Sequence, residues 1–115
     1  MSEHDIDNRA FVRVARRNDV VRERGTIVRV GRYEVALFDV GDTIVAYENA
    51  CPHQGGPIGQ GFIEGETITC PWHAWCFDLR TGMLTLGNFA RLRRFDVRVD
   101  GDAVYVAREP EEDAA

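Results

Sequence analysis

Two short loops of the sequence each carry one cysteine and one histidine. Residues 51–57 read Cys-Pro-His-Gln-Gly-Gly-Pro, and residues 70–73 read Cys-Pro-Trp-His. Sixteen residues separate the two motifs, which gives C-x-H followed by C-x-x-H. Such short spacings aim two side chains at a common point, and two thiols with two imidazoles form a complete ligand set for one metal site. The predicted ligands are Cys51, His53, Cys70 and His73.

Two kinds of metal suit this ligand set. Zinc binds two Cys and two His tetrahedrally, although zinc fingers usually place both cysteines in one motif and both histidines in the other. Iron is the alternative, because thiolates stabilise ferric iron and bridge well to sulfide, while neutral imidazole donates without adding charge. On the residue types alone both metals stay open, and iron and acid-labile sulfide analysis would separate them.

At these two motifs the sequence resembles the Rieske [2Fe-2S] proteins, and specifically the small soluble Rieske ferredoxins. The resemblance runs from about Phe11 to Ala107, and C-P-H-Q-G-G-P and C-P-W-H are its specific part. It implies one [2Fe-2S] cluster per chain, with one iron held by two cysteines and the other by two histidines. Carried over by position, Cys51 and Cys70 bind the inner iron, and His53 and His73 bind the outer iron.

The resemblance also implies the low-potential class of these proteins. In high-potential members a Ser and a Tyr follow the second His and donate hydroxyl hydrogen bonds to the cluster sulfurs. Those positions are occupied here by Trp75 and Phe77, which have no hydroxyl group. The paired cysteines that join the loops in that class are replaced by Gly56 and Trp72.

The residues around the ligands are expected to shape the loops. Gly55 and Gly56 allow the backbone to approach a cluster closely, and the loop prolines restrict motion. We expect Trp72 and Trp75 to pack over the site and exclude water. The third cysteine, Cys76, is interpreted as an ordinary strand residue.

Length, charge and cysteine content restrict the class of protein. A chain of 115 residues is one domain that can bury a core without disulfides. Its formal charge of −5 argues against a nucleic-acid partner and suits transient docking onto a basic protein surface. We find no membrane-length apolar stretch, and the polar N-terminus resembles neither a signal peptide nor an anchor. Three cysteines, two of them predicted ligands, indicate a reducing cytoplasm.

The hydrophobic pattern predicts an all-β domain of roughly eight to ten strands, because no segment has sustained helical periodicity. A first strand is expected at Phe11–Ala15. Hairpins are expected around Gly31-Arg32 and Gly41-Asp42, with Phe38 facing Val45. The strand Glu34–Val40 is apolar on both faces and is therefore placed centrally. With the resemblance, this gives the Rieske fold: a small antiparallel sandwich or barrel base with an inserted cluster-binding subdomain.

The domain is expected to cover residues 9–108, between a loose N-terminal tail at 1–8 and an acidic tail at 109–115. The cluster-binding insertion is expected at about residues 51–77. Within it, two short strands, Phe62-Ile63 and Thr67–Thr69, should turn at Glu64-Gly65.

The last hairpin is expected to have one dry face. Phe95, Val97 and Val99 alternate with charged residues, and Val104 and Val106 should return on the same side after a turn at Asp100-Gly101. Shifting one strand of this hairpin by two residues relative to the other would bury the same side chains. The pattern therefore predicts which face of the hairpin is buried more firmly than it predicts which residues pair.

No independent catalytic site is found, since no nucleophile is paired with a base. The resemblance implies a one-electron carrier rather than an enzyme, which passes electrons from a flavin-containing ferredoxin reductase to a terminal oxygenase that hydroxylates aromatic or similar substrates. Both partners would dock transiently near His53 and His73. The alternative functions are the Rieske-type small subunit of an assimilatory NAD(P)H nitrite reductase, and a zinc or iron–sulfur module with a structural or sensing role.

Overall fold

The computed structural model describes residues 10–52, 55–72, 75–87 and 90–111. Within these ranges ten strands form three antiparallel sheets, so the predicted all-β class is confirmed. No helix in them is long and apolar enough to cross a bilayer. The strands are β1 (Phe11–Arg16), β2 (Thr26–Val30), β3 (Tyr33–Asp39), β4 (Ile44–Glu48), β5 (Phe62–Glu64), β6 (Thr67–Thr69), β7 (Cys76–Asp78), β8 (Arg94–Phe95), β9 (Val97–Asp100) and β10 (Ala103–Ala107).

The four-stranded sheet β2-β3-β4-β8 is the middle layer of the molecule. Val35 and Leu37 of β3 belong to the core shared with the outer sheet β1-β10-β9. The alternate residues Ala36 and Phe38 belong to a second core, shared with the third sheet β5-β6-β7. Successive side chains of a strand point to opposite faces, so a strand that is apolar on both faces must lie between two layers. The predicted central position of β3 is confirmed.

The two hairpins of the middle sheet have the predicted registers. Val30 lies opposite Tyr33, which leaves Gly31-Arg32 as the two-residue loop. Phe38 lies opposite Val45, as expected. These short connections keep β2, β3 and β4 adjacent and place the end of β4 directly before the first cysteine loop.

Two later turns are each displaced by one residue from their predicted positions. Glu64 pairs with Thr67, so β5 and β6 are joined by Gly65-Glu66 rather than Glu64-Gly65. Asp100 pairs with Ala103, so the last hairpin turns at Gly101-Asp102 rather than Asp100-Gly101. In both turns, and at Gly31, the glycine takes the first loop position with φ near +60°, a conformation that other residues adopt at a cost.

The predicted last strand is interrupted at Asp96. Its carboxylate accepts a hydrogen bond from the Val97 N–H (3.0 Å), and the chain passes there from the middle sheet to the outer one. Phe95 is therefore buried in β8, next to β4. Val99 was expected on the dry face but is 46% exposed, because β9 is the edge strand of its sheet. Val104 and Val106 are buried as predicted.

A buried tyrosine joins the middle sheet to the turn that follows β7. The Tyr47 hydroxyl donates to the Leu79 carbonyl at 2.7 Å and accepts from Arg94 Nη1 at 3.3 Å. The ring also contacts Gly82, where an added Cβ would lie 2.9 Å from Tyr47 Cε1. Burial raises the pKa of Tyr47 to about 12, from an ordinary value of 10.0.

The stability of the protein is expected to fall above pH 10 through this residue. In the unfolded chain Tyr47 ionises near pH 10, whereas in the folded chain it stays protonated until about pH 12. The free energy of unfolding should therefore lose about 2 kcal/mol between those pH values. Urea unfolding at pH 8 and near pH 12 should show this loss in the wild type and not in Tyr47→Phe. An equal loss in both proteins would contradict the assignment.

Candidate metal centre

Each of the two cysteine loops is closed by a backbone hydrogen bond of the same type. The Cys51 N–H donates to the Gly56 carbonyl at 2.7 Å, and the Cys70 N–H donates to the Trp75 carbonyl at 2.8 Å. Each bond joins a residue to the one five positions later, so each predicted histidine falls inside a closed loop. The second loop directly joins β6 to β7, and the first leads from β4 to a single 3-10 turn, Ile58–Gln60.

The two loops converge at a buried sulfur. Cys51 and Cys70 are 2% and 1% exposed and belong to the same core. Gly56 of the first loop lies directly against the second, because an added Cβ would come within 2.9 Å of Cys70 Sγ. Gly56 therefore lies close to a predicted ligand atom, while the predicted approach of the Gly55 and Gly56 backbone to a cluster stays a prediction.

Both thiols are free of disulfide bonds, as is Cys76. Two buried thiols on converging loops are donors that favour zinc or iron–sulfur chemistry over hard cations such as magnesium. The donor set therefore fits the thiolate half of the predicted [2Fe-2S] site. Cys76 lies in β7 opposite Thr69, as expected of a strand residue.

The two predicted histidine ligands, His53 and His73, lie outside the described residues. The structure therefore brings together two of the four predicted ligands and leaves the other two as predictions. In the described ranges no group of three or more His, Cys, Asp or Glu side chains is arranged to hold a metal ion.

The two tryptophans of the second loop differ in burial. Trp75 is half-buried, packs against the core and lies with its ring centroid 6.4 Å from that of Phe77. Trp72 is 59% exposed, although its ring is close enough that a Cβ at Gly56 would lie 3.0 Å away. Trp75 thus packs against the core and Trp72 lies against the buried Gly56, while the exclusion of water from a cluster by the two rings stays a prediction.

Asn49 anchors both sides of the first loop and was not identified from the sequence. Its side-chain oxygen accepts from the Gly59 N–H at 2.6 Å, and its amide nitrogen donates to Glu34 Oε1 at 2.9 Å. The residue is 7% exposed, so these bonds satisfy a buried amide and restrain the chain two residues before Cys51. A polar residue directly after an apolar strand and before a predicted ligand was the available signal.

Arg80 connects the third sheet to the middle sheet and was also missed. Its guanidinium pairs with Glu66 in the β5–β6 turn at 2.8 Å and with Asp42 in the β3–β4 turn at 3.0 Å, and it donates to the Val40 carbonyl at 3.1 Å. Hydrogen bonds from Arg80 lower the pKa of both carboxyl groups. These pairs are exposed and contribute little stability individually, but they connect two turns that are far apart in sequence.

Comparisons with known proteins match nearly the whole chain. The sequence profile described as the Rieske [2Fe-2S] domain matches residues 10–99. Ferredoxin CarAc of Metapseudomonas resinovorans is 34% identical over 106 residues, which cover 89% of this chain and 97% of that protein.

Solved structures give the same result at the level of the fold. A chain in the complex of reduced oxygenase and oxidized ferredoxin in carbazole 1,9a-dioxygenase matches with a TM-score of 0.81 at 31% identity, covering 92% of this chain and all of that chain. A structure described as the small subunit of an NADPH nitrite reductase matches with a TM-score of 0.72, covering 84% of this chain and 96% of that chain. Its 24% identity supports a shared fold alone.

Proposed function

Because the chain belongs to the Rieske [2Fe-2S] family, we propose that it is a one-electron carrier that takes electrons from a flavin-containing ferredoxin reductase and delivers them to a terminal oxygenase. The observation that carries the proposal is the pair of identically closed loops that converge at Cys51 and Cys70. The match to 97% of a ferredoxin supports the carrier role.

The proposed site holds one cluster per chain. Cys51 and Cys70 would bind one iron, and His53 and His73 the other; when bound, the cluster supplies a centre that accepts and returns a single electron. The cysteines hold their side of the site in the core, whereas Pro52, Gly55 and Trp72, which lie near the histidines in sequence, are exposed. This arrangement supports docking of both partners at the histidine side.

The proposal includes the low-potential class and a cytoplasmic location. Phe77 is buried and Trp75 half-buried at the positions where hydroxyl donors stand in high-potential relatives. Without those hydroxyl groups the sulfurs receive fewer hydrogen bonds, which lowers the reduction potential. None of the three cysteines forms a disulfide bond, which is compatible with a reducing compartment.

Reconstitution of electron transfer tests the carrier function. The holoprotein is mixed with NADH, a flavin-containing ferredoxin reductase and the oxygenase of carbazole 1,9a-dioxygenase, and the hydroxylated product is measured. We expect product formation to require this chain, and the Cys70→Ala variant to support none. The visible absorption of the holoprotein should also bleach when the reductase and NADH are added.

The nitrite reductase alternative predicts a different result. Stable co-purification with a large chain that contains flavin and haem, together with no support of any oxygenase, would favour it over the carrier. The available structural likeness to such a subunit does not favour it, because at 24% identity it reflects the fold.

A further inference from the structure

A cleft of about 280 Å³ beside the first cysteine loop brings arginine residues next to a predicted ligand. Glu48 and Arg93 form an ion pair at 3.7 Å, so the fields of these two groups oppose each other. The other charged residues of the cleft are Arg91 and Cys51, which is a thiolate when it binds iron. The cleft is then neutral as a whole, with a cation beside a ligand sulfur. The lining residues are Glu48, Ala50, Cys51, Pro52, Arg91 and Arg93.

The backbone places the two arginines on the same side of the chain. The Arg93 carbonyl accepts from the Glu48 N–H at 2.8 Å, beside the ion pair between their side chains. Leu92 is 1% exposed and belongs to the same core as Cys51. Arg91 and Arg93 are exposed. Successive side chains of an extended chain point to opposite sides, so the burial of Leu92 directs both of its neighbours away from the core and towards the cleft.

The charge of Arg91 also acts on the interior of the protein. Burial raises the pKa of Tyr47 to about 12, and the positive charges of Arg94 and Arg91 act against this rise. Tyr47 lies in the same core as Cys51. Arg91 therefore stabilises negative charge that is placed in this core.

Reduction of the proposed site adds negative charge at this place. Two ferric ions, two sulfides and two thiolates are neutral together, and one added electron leaves a single negative charge. A fixed positive charge nearby lowers the energy of the reduced form relative to the oxidised form, which raises the reduction potential. Such a charge would partly offset the absence of hydroxyl donors at Trp75 and Phe77.

We propose that Arg91 raises the reduction potential of the site from its cysteine side, and that Glu48 limits the rise by pairing with Arg93. This inference rests on the proposed function, since it requires a cluster bound at Cys51. A higher potential makes electron transfer from the reductase more favourable and delivery to the oxygenase less favourable. The pair of arginines and the single glutamate would therefore set how the driving force is divided between the two transfers.

A redox titration of the holoprotein, followed by its visible absorption, measures the effect. In Arg91→Gln the equilibrium constant for one-electron reduction should fall several-fold, where a tenfold change corresponds to 59 mV for a one-electron couple. Arg91→Glu should lower it further, whereas Arg91→Lys keeps the charge and should stay close to the wild type. Because Arg91 is exposed, the shift in Arg91→Gln should be smaller at high ionic strength. Iron and sulfide contents equal to those of the wild type show that each variant is loaded.

Two further variants separate a local effect from the total charge of the protein. Glu48→Gln leaves Arg93 without its acidic partner and should raise the potential. Arg13→Gln removes an exposed arginine from β1, in the sheet on the other side of the middle sheet, and should leave the potential unchanged. An unchanged or higher potential in Arg91→Gln, or an equal fall in Arg13→Gln, would overturn the inference and leave the proposed function intact. A wild type without reversible one-electron reduction would overturn both.

Discussion

The Cys51→Ala and Cys70→Ala variants are expected to purify without iron or acid-labile sulfide, whereas Cys76→Ala should retain both. Each of the first two changes removes a predicted ligand, so the content should fall from about two irons and two sulfides per chain to background. Cys76 has the same chemistry but lies in β7, opposite Thr69. Iron and sulfide analysis with visible absorption spectra measures the difference.

The same measurements test the two predicted histidine ligands, with the remaining histidine, His4, as the control. His53→Ala and His73→Ala should lose the cluster, and His4→Ala in the N-terminal tail should keep it. Far-UV circular dichroism is expected to remain β-like in every variant, because the core between the outer and middle sheets contains none of these residues. Zinc in place of iron and sulfide, or a stable cluster in His73→Ala, would contradict the ligand assignment.

The position of β3 between two layers was predictable, because it follows from the apolar residues on both faces of this strand. Four consecutive buried residues, Val35–Phe38, require two apolar neighbours on opposite sides whatever the rest of the chain does. The single-residue errors at Gly65 and Gly101 have a local cause as well, since placing glycine at the first loop position, as at Gly31, gives the observed turns. The break at Asp96 was hidden, because a regular alternation continues across a point where the chain changes sheets.

Only the part of the site that consists of ligands close together in sequence could be predicted. Cys-Pro at the start of each loop and the short spacing to each histidine indicate a shared metal. The contacts that support it join residues that are distant along the chain, such as Asn49 with Glu34 and Arg80 with Asp42. A polar side chain has the same identity whether it is solvated or bonded across the fold, so its position in the sequence does not identify the distant residue to which it bonds.

The contact between Gly56 and Cys70 leads to the second large expected effect. In Gly56→Ala the new methyl group would lie 2.9 Å from Cys70 Sγ and 3.0 Å from the Trp72 ring, whereas favourable carbon contacts lie near 3.5–4.0 Å. Trp72 can move aside because it is exposed, but Cys70 is 1% exposed and cannot. We expect a loss of about 2 kcal/mol in the free energy of unfolding and a marked loss of bound iron and sulfide.

The neighbouring glycine separates this steric effect from backbone strain. Gly55 has φ +79° and open space where a Cβ would point, so Gly55→Ala should cost about 1–2 kcal/mol without displacing Cys70. It should therefore reduce thermal stability while retaining more iron and sulfide than Gly56→Ala. Adding Trp72→Ala to Gly56→Ala removes the ring contact but leaves the sulfur contact, and should not restore the cluster. Full cluster content in that double variant would show that the tryptophan, rather than the ligand sulfur, requires glycine at position 56.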